Sequence, residues 1–457
     1  MTVWTRRGTP PHMGGVKVRY TYRLRPGADA QAYLLREFGM CRWVWNHLVA
    51  QSRLAYRLNA VSVPSGNGEV TFGPAQQDKF LTGLRASTVD ADSGERWLAA
   101  GSSVAQQQMV RDFAAARVKA LKDRKDQSVP ASRKAGLPRF KKRGVARPTL
   151  NYTRRGFSLP EVDGVVRLRL PGKVDIPVVW SRPLPSPPTS VRVSQDTLGH
   201  WYASFVVDVE HQAGPTVLHP DIALGIDWGV TETATTARVN LMTGEVDETP
   251  AYDLPHAQHG KAAADTLAKA QRKMARRAKR DTRGRLVTDQ SRGYRKARWQ
   301  AARAHRKVAD QRKDDARKWA RRVAADHEHI AVEDFKPKFL AKTTMARKAA
   351  DAAIAATKQE LIWQARKAGR DLRLVHPRNT TTDCANCGTR TKHRLPLGQR
   401  TYTCEICGVS RPRDKNSATV MVARAGFEPH GLASHEVVPA DAEDRRPDPA
   451  AVLGKAV

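Results

Sequence analysis

Asp227, Glu333 and Asp414 are the residues of this 457-residue chain whose types and contexts best suit chemistry. Asp227 ends the apolar run Ile222-Ala223-Leu224-Gly225-Ile226, and Glu333 ends Ile330-Ala331-Val332. Asp414 sits in Arg413-Asp414-Lys415-Asn416. Carboxylates at two strand ends and a helix start can hold two divalent cations about 3.5–4 Å apart, the arrangement that serves phosphodiester hydrolysis. Magnesium fits such a set, because a hard cation takes carboxylate oxygens and keeps several waters. Each acid alone also reads as a strand end or a helix cap. Their co-occurrence in a strongly basic chain favours the metal cluster.

The cysteines carry a second chemistry. Cys384-x-x-Cys387 and Cys404-x-x-Cys407 are separated by sixteen residues, a spacing for tetrahedral zinc on four thiolates. Gly388 and Gly408 follow the two pairs, where a knuckle turn favours glycine. Four ligands close the coordination, so this zinc is expected to be structural, and His393 between the pairs has nothing to coordinate. The fifth cysteine, Cys41, reads as a small buried hydrophobe.

Charge narrows the partner. Lys and Arg number 79 against 45 acids, a formal net charge of +34 that calls for a polyanion. The runs Gln271-Arg272-Lys273, Arg276-Arg277 and Lys279-Arg280 have few acids to pair with, as a solvated helix would at i,i+4. Phosphate contacts are the expected use. Trp43, Trp45 and Trp201 are either core residues or base-stacking platforms. No hydrophobic leader follows Met1, and apolar runs such as Phe205-Val206-Val207 are strand-length. The expectation is a cytoplasmic protein with reduced thiols and no membrane partner.

Length allows two to four domains. Residues 1–12 read as loose, and Val16–Leu24 alternates as a strand. Residues 28–125 read as helical with a loop at Ser62–Gly68, 118–147 as a basic linker, and the chain to about 210 as strands. The N-terminal strand and these later strands can form one small β-barrel with the helical region inserted. Residues 259–328 read as long basic helices without a clear apolar stripe, Lys342–Gly369 as one helix, Leu372–Val375 as a strand, and the chain from Phe427 as disordered.

These residues resemble the TnpB family of insertion-sequence RNA-guided DNA endonucleases, and the related compact type V CRISPR effectors, over roughly residues 16–426. The resemblance is carried by Tyr22-Arg23-Leu24-Arg25-Pro26, by Gly39-x-Cys41-Arg42-Trp43-Val44-Trp45-Asn46, by Pro138-Arg139-Phe140-Lys141, and by the three acid motifs. It implies an α+β multidomain protein: an RNase H-like RuvC nuclease domain with an inserted zinc ribbon, an OB-like wedge β-barrel and a helical recognition domain. The expected boundaries are 1–26 for the arm and first wedge strand, 27–130 for the recognition domain and 131–215 for the barrel. RuvC motifs one and two then occupy 216–379, with the basic helical insertion at about 259–328. The ribbon takes 380–409, the third motif and its helix 410–426, and a tail 427–457.

The resemblance further implies catalysis by Asp227, Glu333 and Asp414 on two Mg²⁺ ions, one structural Zn²⁺, a guide RNA, and a double-stranded DNA target bearing a short flanking motif. This is the division of labour of other RNA-guided nucleases. Candidate nucleic-acid contacts, by charge and position, are Arg23, Arg25, Arg42, Trp45, Asn46, Arg139, Lys141, Lys142, Arg143, Arg272, Arg276 and Arg277. Monomer and dimer both remain open. Two departures stand out: Pro412 replaces an acid usual before the third motif, and the bulky Trp228 follows Asp227, where it would narrow the site. Alternative readings are a guided DNA-binding repressor that does not cut and an RNA-independent transposase. Intact acids favour cleavage.

Overall fold

In the computed structural model two of the three acid motifs end neighbouring strands of one sheet, and the third opens a helix. The structure describes residues 16–62, 70–131, 134–209, 217–287, 289–335, 337, 340, 343–391, 395–396 and 398–427. The readings of residues 1–12, of most of the 62–68 loop, of His393 and of the chain beyond Phe427 fall outside them. Two units divide at residues 210/211. Among the described residues no helix is long and apolar enough to cross a membrane.

The first unit begins with strand β1 (Val16–Leu24), then α1 (Ala28–Ser62), α2 (Pro74–Ser87), the short α3 (Trp97–Ala100) and α4 (Ser103–Lys125). Strands β2 (Thr149–Thr153), β3 (Glu161–Val162), β4 (Val165–Leu170), β5 (Val174–Val179), β6 (Ser190–Gln195) and β7 (Trp201–Val209) follow. They form a seven-stranded sheet ordered β2-β6-β7-β1-β5-β4-β3, so β1 sits mid-sheet between its late partners and the helices are an insertion between β1 and β2. Residues 118–125, read as linker, instead complete α4. Buried Glu37 on α1 accepts from Ser102 N at 3.0 and 3.2 Å, tying α1 to the start of α4.

The second unit carries β8 (His219–Trp228), β9 (Glu232–Asn240), β10 (Val246–Asp247) and β11 (Leu254–Pro255). After α5 (His259–Ala262) come α6 (Ala264–Arg277) and α7 (Arg292–Asp326), then β12 (His327–Glu333). Helices α8 (Ala346–Ala352) and α9 (Ile354–Ala368), strands β13 (Asp371–Val375), β14 (Thr401–Thr403) and β15 (Ser410–Pro412), and α10 (Arg413–Ala425) complete it. The main sheet runs β10-β9-β8-β12-β13, with β8–β9 and β9–β10 antiparallel and β8–β12 and β12–β13 parallel. Renumbered within the sheet this is 3-2-1-4-5, the strand order of an RNase H-like domain.

Two sequence readings need correction here. The 259–328 segment does have a buried stripe, Tyr294, Ala297, Ala301, Val308, Ala316, Trp319, Ala320 and Val323. Alanine supplies half of it, so the stripe is only weakly marked in hydropathy. The single helix expected over 342–369 is two, because Ala353 takes a left-handed φ of 52° between α8 and α9. Buried Asp351 stabilises that break: it accepts from Gly260 N (2.7 Å) and Lys261 N (3.0 Å) and pairs with Arg312 at 2.5 Å.

Candidate active site and zinc ribbon

Pairing fixes two of the acids side by side. Ile226 of β8 lies opposite Val332 of the parallel strand β12, so the next residues, Asp227 and Glu333, leave adjacent strands at their carboxyl ends. That end of a parallel pair is where ligands of open α/β sheets bind. Side chains alternate faces along a strand. Ala223 and Ala331 pack beneath α10 with Met421, Val422 and Ala425, while Leu224, Ile226, Trp228, Ile330 and Val332 fill the opposite core with Trp319 and Leu361. Gly225, Asp227 and Glu333 therefore share the α10 face.

Gly225 is what lets α10 approach. A Cβ there would stand 1.9 Å from the Ala418 carbonyl oxygen and 2.9 Å from Val422 Cγ2. No other residue fits without moving the helix. The approach brings the first turn of α10, and with it Asp414, over the strand ends.

The two residues after Asp414 lock that turn. Lys415 is buried, and its ammonium donates to the Thr236 carbonyl (2.7 Å) and to both Asp253 oxygens (2.8 and 3.0 Å). Asp253 also accepts from Thr236 N and Oγ1 at 2.7 and 2.8 Å. Asn416, fully buried, donates to the Asp383 carbonyl (2.8 Å) and accepts from Ala385 N (3.1 Å), both in the first zinc knuckle. Sequence reasoning missed Asp253 and the anchoring roles of Lys415 and Asn416; the signal was a lysine and an asparagine in the first turn of a helix that runs on in small and apolar residues.

The electrostatics penalise the charged forms of two of the acids. Burial first, then the Glu333 and Asp414 charges, push the Asp227 carboxyl well above the usual range. Burial pushes Glu333 up to about 7, against the opposing Trp228 N–H, which donates to its Oε2 at 3.4 Å. Asp414 is less buried, with Arg413 at 3.4 Å and Arg400 at 3.8 Å. Asp334, next to Glu333, is an outer residue bound to Lys358 at 2.8 Å. Asp227 shares a hydrogen bond with Glu333 and feels the Asp414 charge, so these carboxylates, two of them in a dry setting that penalises their charge, are of the type that could hold a hard divalent ion.

Trp228 does not narrow the site. Its ring lies on the opposite face, 5.9 Å from Trp319, and its Nε1 donates to the Glu333 carbonyl at 3.1 Å. Pro412 ends β15 and precedes α10 opposite Thr401.

The four cysteines converge, with all sulfurs within 4.8 Å and the Cys384–Cys407 and Cys387–Cys404 separations 3.7 and 3.6 Å. Tetrahedral zinc with Zn–S near 2.3 Å demands S···S of about 3.8 Å. Each pair forms a knuckle, Gly388 N donating to Cys384 O and Gly408 N to Cys404 O at 3.0 Å, with both glycines at φ near +70°. The thiols fit a structural zinc. Hydrogen bonds from Thr389 hold Cys387 down at about 6, which favours the thiolate. The hairpin β14–β15 extends the ribbon to Pro412, directly into α10.

The candidate nucleic-acid residues separate. Trp45 is only 9 % exposed, edge-on to Phe113, and donates to the Arg139 carbonyl at 2.9 Å. Asn46 spans the Lys141 backbone (2.8 and 3.2 Å), Arg42 caps the same carbonyl at 3.4 Å, and the Lys141 ammonium lies 3.8 Å from the Trp45 ring centre. Trp45 and Asn46 thus clasp the basic segment to α1 and do not offer faces to a ligand; Trp201, 2 % exposed, is core as well. Trp43 stacks within the chain against His47 and Trp97. Arg23 is partly engaged by the Tyr202 hydroxyl at 3.3 Å. Arg25, Arg139, Lys142, Arg143, Arg272, Arg276 and Arg277 are exposed.

An RNase H-like sheet with converging acids and a four-cysteine ribbon ahead of its last helix defines the class. Comparison with known proteins agrees. Residues 204–370 match the OrfB family of IS605, described as "Probable transposase", residues 355–421 the Cas12f1-like TNB domain, and residues 13–60 the OrfB "Helix-turn-helix domain". In this chain the last span is β1 and the single helix α1. A relative from Streptomyces pristinaespiralis, named "Putative RNA-guided DNA endonuclease", is 28% identical over 416 residues, 90% of each chain. A second, from Escherichia coli K12 and named "Putative RNA-guided DNA endonuclease InsQ", is 25% identical over 421 residues, 88% of this chain and 91% of its own. A Cas12f1–sgRNA–target DNA complex is similar at 13% identity and a TM-score of 0.47, over 89% of this chain and 98% of that one, too remote to carry an argument. The chain is TnpB-like, related to the compact type V effectors.

Proposed function

We propose that this protein is an RNA-guided DNA endonuclease of a transposon or a compact CRISPR locus, cutting beside a short flanking motif by two-metal phosphodiester hydrolysis. The supporting observation is that Asp227 shares a hydrogen bond with Glu333 and feels the charge of Asp414, from segments up to 187 positions apart in sequence. The printed names of the curated relatives support the guided reading.

Asp227, Glu333 and Asp414 would hold the magnesium ions, which when bound supply an activated water and charge neutralisation at the leaving oxygen. The chain's own residues set the geometry. Trp228 N–H orients one Glu333 oxygen, and the Lys415–Asp253 pair with the Asn416 clasp holds Asp414 in register with the strand ends. The zinc ribbon acts through that clasp, as an anchor for α10. Exposed Arg139, Lys142, Arg143, Arg272, Arg276 and Arg277 suit phosphate contacts to a guide RNA and a DNA target.

The test is to express the gene with its flanking DNA, sequence RNA that co-purifies, and assay the complex with Mg²⁺ on targets carrying randomised flanks. Cleavage tied to one guide and one flank is expected. Guided binding without cutting would indicate a repressor, and absence of a discrete RNA would indicate an RNA-independent transposase.

A further inference from the structure

Between residues 266 and 309 the chain carries sixteen Lys and Arg against two acids. In the middle of this stretch α7 exposes a large aromatic, Trp299, at 46 %. With 100° per residue, Arg292, Arg295, Lys296, Trp299, Arg303 and Lys307 share about a third of the helix circumference. The opposite side of α7 is the buried stripe of Tyr294, Ala297, Ala301 and Val308. Arg295 is 65 % exposed in its weak contact with Asp289, and the Arg303 guanidinium lies 5.5 Å from the Trp299 ring centre.

A tryptophan left open among cations is poorly suited to an apolar protein partner, whose interface core would have to desolvate those charges. It suits a polyanion with aromatic faces. Duplex DNA offers such a ridge only phosphates, whereas an unpaired base can lie on the indole while its flanking phosphates meet the arginines. The far end of α7 fixes the ridge to the site: Trp319, twenty residues on and therefore about 30 Å away, packs on Trp228, whose indole holds the Glu333 carbonyl.

We propose that the α7 ridge binds single-stranded DNA, with Trp299 stacking on an unpaired base and Arg295, Lys296 and Arg303 neutralising its neighbouring phosphates. The choice of a DNA strand rests on the nuclease reading above; the stacking itself does not.

The test is fluorescence anisotropy of the full chain in EDTA with labelled oligo(dT), oligo(rU) and a blunt duplex of equal length. Trp299→Ala should weaken oligo(dT) binding about 5- to 10-fold and duplex binding less than about twofold, and Trp299→Phe should restore most of the loss. Unchanged thermal melting excludes a folding defect, since the side chain is exposed. Equal weakening of both DNA probes, no weakening, or a loss confined to oligo(rU) overturns the proposal. Cleavage is not read. A chain that stacks oligo(dT) through Trp299 yet never cuts keeps this inference and sinks the nuclease, while guided cutting with normal binding by Trp299→Ala does the reverse.

Discussion

The two faces of the β8–β12 ladder are made of adjacent residues and do opposite work. One face, Leu224, Ile226, Trp228, Ile330 and Val332, is large and apolar and buries against α7 and α9. The other, Ala223, Gly225, Asp227, Ala331 and Glu333, is small near the strand middles and ionisable at their ends. Burial on the first face stabilises the sheet enough to hold like charges together on the second, where they cost stability and, on the proposed function, would hold metal. Chemistry and cohesion are separated by a single residue step.

The largest expected effect comes from the ionisable face. Asp227→Ala, Glu333→Ala and Asp414→Ala should each lower cleavage about a thousandfold or more, measured as single-turnover rates on a guided target, with little loss of thermal stability. A cutting variant would remove that residue from the site. On the apolar face, Leu224→Ala should cost about 2–5 kcal/mol in denaturant unfolding through the cavity it leaves. Gly225→Ala should cost about 1–3 kcal/mol by overpacking against α10 and should also abolish cleavage, because Asp414 moves with the helix. If Gly225→Ala cuts normally, the close approach of α10 is not what aligns the acids.

Trp228→Phe sharpens the comparison from the other side. It keeps an aromatic against Trp319 but removes the indole N–H, so about 1 kcal/mol of stability should go while cleavage falls only a few-fold. A thousandfold loss would mean that Trp228 belongs to the chemistry.

The smallest effect is a pH dependence. Glu333 sits near 7 when folded and near 4.3 when unfolded, so the folded state retains a proton that the unfolded chain releases. Without metal, stability should therefore fall as pH rises from about 4.3 to about 7. Added Mg²⁺ should raise the melting temperature more at pH 8 than at pH 5.5, and Glu333→Gln should reduce both trends, leaving the part that Asp227 carries. A metal-free protein that gains stability across that window through Glu333 would contradict the burial argument.

The positions of Asp227, Glu333 and the cysteines were legible because each ends a recognisable local pattern: an apolar run for the two acids, a C-x-x-C pair for the thiols. The N-terminal strand and the helical insertion were legible for the same reason. What escaped has no local signature. Half of the α7 stripe is alanine, so its burial is only weakly marked in hydropathy. Asp253 sits in a short irregular stretch and gains its role only when Lys415, 162 positions later, folds onto it. Trp228 was misread because its neighbour Asp227 is functional, although strand alternation sends the two side chains to opposite faces. Trp45 was legible only as core or as a base-stacking platform, because an aromatic among arginines can equally be a clasp within the fold.

The most direct test of the central claim, that the three carboxylates act on bound DNA and are not needed to bind it, reads binding and cutting together. Guide-loaded wild type and Asp227→Ala are compared on one target, with occupancy by gel shift in Ca²⁺ and cleavage after exchange to Mg²⁺. The account predicts equal occupancy and cleavage reduced at least about a thousandfold in the variant. Equal cleavage, or loss of occupancy in step with loss of cleavage, would contradict it.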